Sequence, residues 1–172
     1  METTSAASKN VRTMLAWIDV HNRQDMKALD YMHEDVEIVE VPTGVVYRGM
    51  AQMKKLAAMA YSQRSDKEVT KIFASDDEVC IEYIARADLS APLTGAERKE
   101  GLHGIDLSSA KPRSTFELKV CFVCRFKDGK IYRAREYWDA AEMARQFGKS
   151  NFLARVLTFG ARLHARNSKA EK

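Results

Sequence analysis

The chain has little of what would place it in several broad classes. Its 172 residues include only three cysteines and three prolines. An odd, small cysteine count does not build the disulfide framework of a small secreted domain. No apolar run approaches the roughly 20 residues that a membrane-spanning helix needs. The opening Met1-Glu2-Thr3-Thr4-Ser5-Ala6-Ala7-Ser8 lacks the apolar core of a secretion signal. Neither G-x-G-x-x-G, a P-loop nor G-x-S-x-G occurs, so nucleotide binding and serine hydrolysis have no motif to rest on. The four histidines, His21, His33, His103 and His164, have no partners at metal-ligand spacing. Neither a metal nor another cofactor is expected, and a cytoplasmic location fits these absences best.

What is present suits one globular core: 45% hydrophobic and 30% charged residues, in a length too short for two ordinary domains. The net charge of +4 is unevenly spread. Residues 1–144 carry a balance of −2, and residues 145–172 carry +6. A nearly neutral body excludes a domain-wide nucleic-acid footprint. The expected organisation is a disordered lead over 1–9, a folded domain over 10–148 and a basic amphipathic tail over 149–172. In the tail, Phe152, Leu153, Val156, Leu157 and Leu163 form an apolar stripe apart from Arg155, Arg162, Arg166 and Lys169. Such a helix is compatible with covering the protein's own sheet, a partner subunit or an acidic membrane surface.

Hydrophobic periodicity sets the order of elements. Asn10 is placed to cap a helix carrying Val11, Met14, Leu15 and Ile18, with Trp17 beside them. Asp25 caps a second helix that ends near His33, with Leu29 and Met32 facing in. Strands over Val36–Val41 and Val45–Arg48 follow, then a helix from Gly49 to Ser62 burying Met50, Met53, Leu56, Ala57 and Ala60. Strands are expected over Glu68–Ser75, Val79–Leu89, Thr115–Phe126 and Ile131–Trp138, and a helix over Ala140–Phe147. Residues 90–113 read as a long loop. The predicted fold class is α+β: a curved antiparallel sheet, cone-shaped, with three N-terminal helices closing a pocket and a C-terminal helix added.

Lys127-Asp128-Gly129-Lys130 is the clearest hairpin signal. On the strand before it, Phe116, Leu118, Val120, Phe122, Cys124 and Phe126 share the buried face. Cys121 and Cys124, three apart, point to opposite faces and do not form a metal or redox pair. On the strand after it, Arg133 and Arg135 prefer water. That leaves Tyr132, Ala134, Glu136 and Trp138 facing in, with Ile131 outside. Glu136 is therefore expected to be a carboxylate inside an apolar enclosure, where desolvation favours its neutral form and fits it for proton transfer. A structural ion pair is the other reading of that burial. Trp17, Tyr83, Phe122 and Trp138 are the candidate walls of a binding site for a small apolar molecule. His103 in the long loop is a candidate lid residue, and Asp139 reads as the cap of the last helix through Asp139-Ala140-Ala141-Glu142. His21 reads as a solvated or C-capping histidine, with the pocket mouth within its reach as the other reading.

The succession of Ala16-Trp17, Asn22-x-x-Asp25, His33-Glu34-Asp35-Val36, Tyr47-Arg48-Gly49, Asp128-Gly129-Lys130-Ile131, Glu136-Tyr137-Trp138-Asp139 and Arg145-Gln146-Phe147-Gly148 resembles the SnoaL-like polyketide cyclase family of the nuclear transport factor 2-like superfamily. The resemblance covers about residues 10–148. It implies an acid/base role for Glu136 in a cofactor-independent aldol ring closure. It also implies a homodimer formed through the sheet, whose outer face bears Cys121, Val123 and Tyr137. Two departures stand out: the family's aspartate is a glutamate here, and its assisting histidine falls at Phe122. The superfamily also contains isomerases, hydratases and non-catalytic binders, so a binding or dimerising module is the alternative function.

Overall fold

The computed structural model describes residues 6–62, 64–87 and 115–146. His103, the 90–113 loop and the 149–172 tail lie outside the described residues. The first helix, α1, spans Ala6–Asn22 and buries Asn10, Met14, Trp17, Ile18 and His21 at helical spacing. It begins before Asn10, so residues 6–9 are helical and Asn10 is not its cap. The Asn10 side-chain amide instead donates to the Asp76 carbonyl at 3.0 Å, which lets a polar residue sit in the buried stripe. The stripe centres on Trp17, and Leu15 is exposed.

Asp25 caps a short 3₁₀ helix, Met26–Tyr31, by accepting from the Lys27 amide at 2.9 Å. The 3₁₀ helix buries Ala28 and Leu29 and ends before His33, which belongs to strand β1 (Met32–Glu40). β1 turns through Gly44 into β2 (Val45–Arg48), and α2 (Gly49–Ser62) follows. Of the expected α2 stripe only Met53 is fully buried; Met50, Leu56 and Ala57 are partly buried against the core. Strands β3 (Ser65–Ala74), β4 (Glu78–Ala87), β5 (Phe116–Lys127) and β6 (Lys130–Trp138) complete the sheet, and α3 (Ala140–Gln146) closes the described chain. Asp139 caps α3 by accepting from the Ala141 and Glu142 amides at 2.8 and 3.1 Å.

Among the described residues six strands form one curved, unclosed sheet in the order β2-β1-β6-β5-β4-β3. β3 to β6 form an antiparallel meander, but β1 runs parallel to β6. The sheet is therefore mixed rather than wholly antiparallel. The chain reaches the other side of β1 only after β2, α2 and the strands β3 to β5, long enough for a parallel crossover. The helices α1 and α2 pack on the concave face and enclose the core, as in the expected α+β cone.

The β5–β6 hairpin turns through Asp128 and Gly129, both with positive φ (53° and 73°), the conformation that favours this dipeptide in tight turns. A bulge at Tyr132 shifts the register just after the turn, since Phe126 pairs with Ile131 but Arg125 with Arg133. Two residues then face one, the alternation slips, and Ile131 is fully buried rather than outside. Tyr132 is correspondingly only half-buried. Beyond the bulge Ala134, Glu136 and Trp138 face in. Arg133 points outward and pairs with Glu37 at 2.6 Å. Cys124 is buried and Cys121 is on the outer face, where its sulfur lies 3.6 Å from that of Cys80. Among the described residues no helix is long and apolar enough to cross a membrane.

Candidate functional site

Between α1, α2 and the concave sheet lies a cavity of about 120 Å³. Trp17 and His21 of α1, Met53 and Tyr61 of α2 and Leu29 of the 3₁₀ helix form its apolar walls, and Phe122, Glu136 and Lys67 face it from the sheet. Trp17 stacks on Phe122 with ring centres 5.6 Å apart and packs against His21 at 5.8 Å. Its indole Nε1–H is buried with no acceptor among the described residues, so a carbonyl or hydroxyl oxygen in the cavity would satisfy a donor the fold leaves unmet.

A hydrogen-bonded line runs along the polar side of the cavity. Lys67 Nζ donates to the Tyr83 hydroxyl at 3.1 Å, and that hydroxyl donates to Glu136 Oε1. Lys67 also sits over the Tyr83 ring, 4.4 Å from its centre, and 5.7 Å from that of Trp17. The lysine is held at its backbone as well. The Asn22 side chain at the end of α1 accepts from the Lys67 amide at 2.8 Å and donates to its carbonyl at 2.9 Å. Helix and strand are thereby locked together at the residue that carries the amine.

Glu136 is 8% exposed and stands opposite Phe122 on β5 and opposite Glu40 on β1. Glu40 has no exposure and accepts from the Trp138 indole Nε1 at 2.5 Å. Burial drives the Lys67 pKa below the ordinary lysine value, against the opposing pull of the Glu136 and Glu40 charges. Burial, reinforced by Glu136, holds Tyr83 well above the ordinary phenol value, so it stays a neutral O–H donor. His21 falls from 6.5 to about 2, through burial first and the Lys67 charge second. It is a neutral imidazole with Nε2 3.4 Å from the Ser65 hydroxyl.

The expected site residues are thus sorted by the fold. Glu136, Trp17 and Phe122 meet at the cavity. Tyr83 is behind its wall, between Lys67 and Glu136. Trp138 is not in the wall; it orients Glu40. His21 is buried in the wall rather than solvated or capping, the lesser of its two expected places, because the helix stripe rotates it inward. Lys67 and Glu40 were not singled out from the sequence. Alternation carried a signal for both: Val36, Ile38 and Glu40 share a face of β1, and Lys67 shares one with Ser65 and Val69 on β3. His33, Glu34 and Asp35 are the one group among the described residues whose ligand atoms lie within 4.8 Å of each other. None of them lines the cavity, and His33 Nδ1 is taken up by the Asp35 amide at 3.1 Å.

The sequence pattern of the SnoaL-like polyketide cyclases matches residues 11–147. No functionally curated protein matches the chain in sequence. Similar solved structures share the fold at low identity. A candidate polyketide cyclase from Silicibacter sp. TM1040 is 20% identical, with 81% of this chain and 96% of that chain covered and a TM-score of 0.63. AclR, a candidate hydroxylase from Streptomyces galilaeus, is 17% identical over 83% and 87% of the two chains, with a TM-score of 0.64. A protein with a ketosteroid isomerase-like fold from Catenulispora acidiphila DSM 44928, in complex with trimethylamine, is 16% identical over 79% and 92%, with a TM-score of 0.59.

Proposed function

The chain belongs to the SnoaL-like polyketide cyclase family, and on that premise we propose that it is an acid/base enzyme of cyclase or isomerase type acting on a small carbonyl compound. The observation that carries the reading is the placement of Glu136 in the wall of a largely apolar cavity, at the end of the Lys67–Tyr83 line. Glu136 would remove a proton from the carbon next to the carbonyl. The Lys67 N–H and the Trp17 N–H are the donors at hand for the negative charge that then develops on oxygen. Ring closure and double-bond migration share this first step, and they differ in whether the carbanion attacks a second carbonyl or is reprotonated elsewhere. The reading calls on no cofactor, because base and donors come from the chain.

Cavity size narrows the substrate. Drug-sized ligands occupy pockets of roughly 300–1,000 Å³, whereas an apolar cavity of about 150 Å³ accommodates benzene. At about 120 Å³ and partly open, the cavity suits a short-chain ketone, or a single-ring one that reaches into its mouth, rather than a fused polyketide. The test is hydrogen–deuterium exchange at the α-carbon of a panel of ketones, followed by proton NMR. Single-ring ketones should exchange faster with the protein than without it, and fused multi-ring ketones should not. Ala57→Trp, which fills the cavity, should abolish the difference. A panel with no protein-dependent exchange would remove the enzymatic reading. It would favour a non-catalytic binding module, in which the Tyr83–Glu136 bond is only structural. Self-association through the outer sheet face at Cys121, Val123 and Tyr137 is a separate part of the proposal, checked by light scattering of wild type against Tyr137→Glu.

A further inference from the structure

The acid/base reading uses Lys67 only as a donor, yet its placement suits more. Among the described residues it is the one lysine in the cavity wall. Its backbone is clamped by Asn22, its nitrogen lies over two aromatic rings, and that nitrogen donates to a hydroxyl that in turn donates to a buried carboxylate. An amine fixed in an apolar pocket beside a proton relay is the arrangement that nucleophilic lysines require. We infer that Lys67 is a nucleophile that condenses with the carbonyl carbon of a small ketone or aldehyde in the cavity to form an iminium ion. The inference extends the proposed function, since it gives Glu136 an iminium rather than a free ketone to deprotonate.

The step balances without an external reagent. The neutral Lys67 nitrogen attacks the carbonyl carbon, and the C=O π pair moves to oxygen. The nitrogen gives up one proton and the oxygen takes one, which yields a carbinolamine. A second proton reaches the hydroxyl oxygen through the Tyr83 and Glu136 relay. The C–O bond breaks, water leaves, and the nitrogen lone pair forms the C=N⁺ bond. Glu136 as carboxylate then takes the α-proton, and the C–H pair becomes the C=C bond of a neutral enamine. Cyclisation or reprotonation follows, and water returning to the iminium carbon releases the amine and the product. Burial favours the required neutral amine. The charged and titratable groups facing Lys67 are His21 from α1, Tyr83 from β4, Glu40 from β1 and Glu136 from β6. His21 is neutral and adds no positive charge, while the two glutamates oppose loss of the lysine's proton.

The test uses the full chain with cyclohexanone and sodium cyanoborohydride at neutral pH, followed by proteolysis and mass mapping of each lysine. Reduction of the iminium fixes one cyclohexyl group on the nitrogen that formed it. Lys67 should be labelled several-fold faster than the exposed Lys54, Lys55 and Lys71, since its nitrogen is held in the cavity wall beside the Tyr83 hydroxyl. These internal controls decide the matter in wild type alone, so a Lys67→Arg variant that failed to fold would not obscure it. Labelling of Lys67 no faster than Lys54 and Lys55 would overturn the inference. Glu136→Gln separates this result from the acid/base reading. Without the carboxyl of the relay the variant should label Lys67 more slowly than wild type does, yet still ahead of the controls, while losing α-carbon exchange. Exchange without Lys67 labelling in wild type sinks only the covalent step, and labelling with unimpaired exchange in Glu136→Gln sinks only the base assignment.

Discussion

Replacing Tyr83 by Phe tests whether the polar line holds the site together. The change deletes one oxygen and nothing else. That oxygen accepts from Lys67 Nζ at 3.1 Å and donates to Glu136 Oε1, and the residue is 1% exposed, so water does not readily replace either bond. Hydrogen bonds to charged groups contribute about 1.5–3 kcal/mol each. Because the two share one hydroxyl they are not independent, and a combined loss of about 3 kcal/mol is expected. For a chain of this size that corresponds to a fall in melting temperature of about 6–12 °C. Tyr83 lies outside the cavity wall, so the cavity's shape should persist and a bound single-ring ketone should still raise the melting temperature. Urea unfolding of wild type and variant at constant m gives the difference directly. A loss below about 0.5 kcal/mol, the range of an uninvolved surface substitution, would show that the line does not organise the site and would refute the reasoning.

His21 is neutral in the folded protein down to about pH 2, whereas its unfolded counterpart protonates below pH 6.5. Stability should therefore be full above pH 6.5 and fall on acidification, with His21 contributing about 1.4 kcal/mol per pH unit. Urea midpoints between pH 7 and pH 5 should decline less steeply for His21→Phe than for wild type, and equal slopes would contradict the assignment. Phe122→Ala should cost about 3–5 kcal/mol because Phe122 is 2% exposed and packs on Trp17. The enlarged cavity should then accept two-ring ketones that wild type excludes, read as ligand-induced increases in melting temperature.

Much of the architecture was legible because it is encoded locally. Asp128-Gly129 announces the hairpin, and the unbroken alternation from Phe116 to Cys124 assigns its faces. Glu136 could be turned inward on the strength of the two arginines beside it, as the burial of β6 bears out. The misplacements have non-local causes. Ile131 faces in, against its expected place, because a bulge at Tyr132 resets the phase within β6, and the residue types around it carry no mark of the bulge. Asn10 looked like a cap because its true partner is the Asp76 carbonyl, 66 residues away. The parallel pairing of β1 with β6 has no local signature either, since a strand reads the same whichever way its neighbour runs. Lys67 fell between the expected end of a helix and the expected start of a strand at Glu68. The groups that make it informative, Tyr83 and Glu136, lie far along the chain and meet it only in the fold.

The most direct measurement is the rate of α-carbon deuterium exchange in a single-ring ketone with Glu136→Gln against wild type, alongside the dissociation constant of the same ketone. Glutamine keeps the size and the hydrogen-bonding reach of the side chain and removes its basicity. Exchange should fall by about 10²–10⁴-fold, the usual contribution of a positioned base, while affinity changes little. Wild-type exchange in the variant would contradict the account.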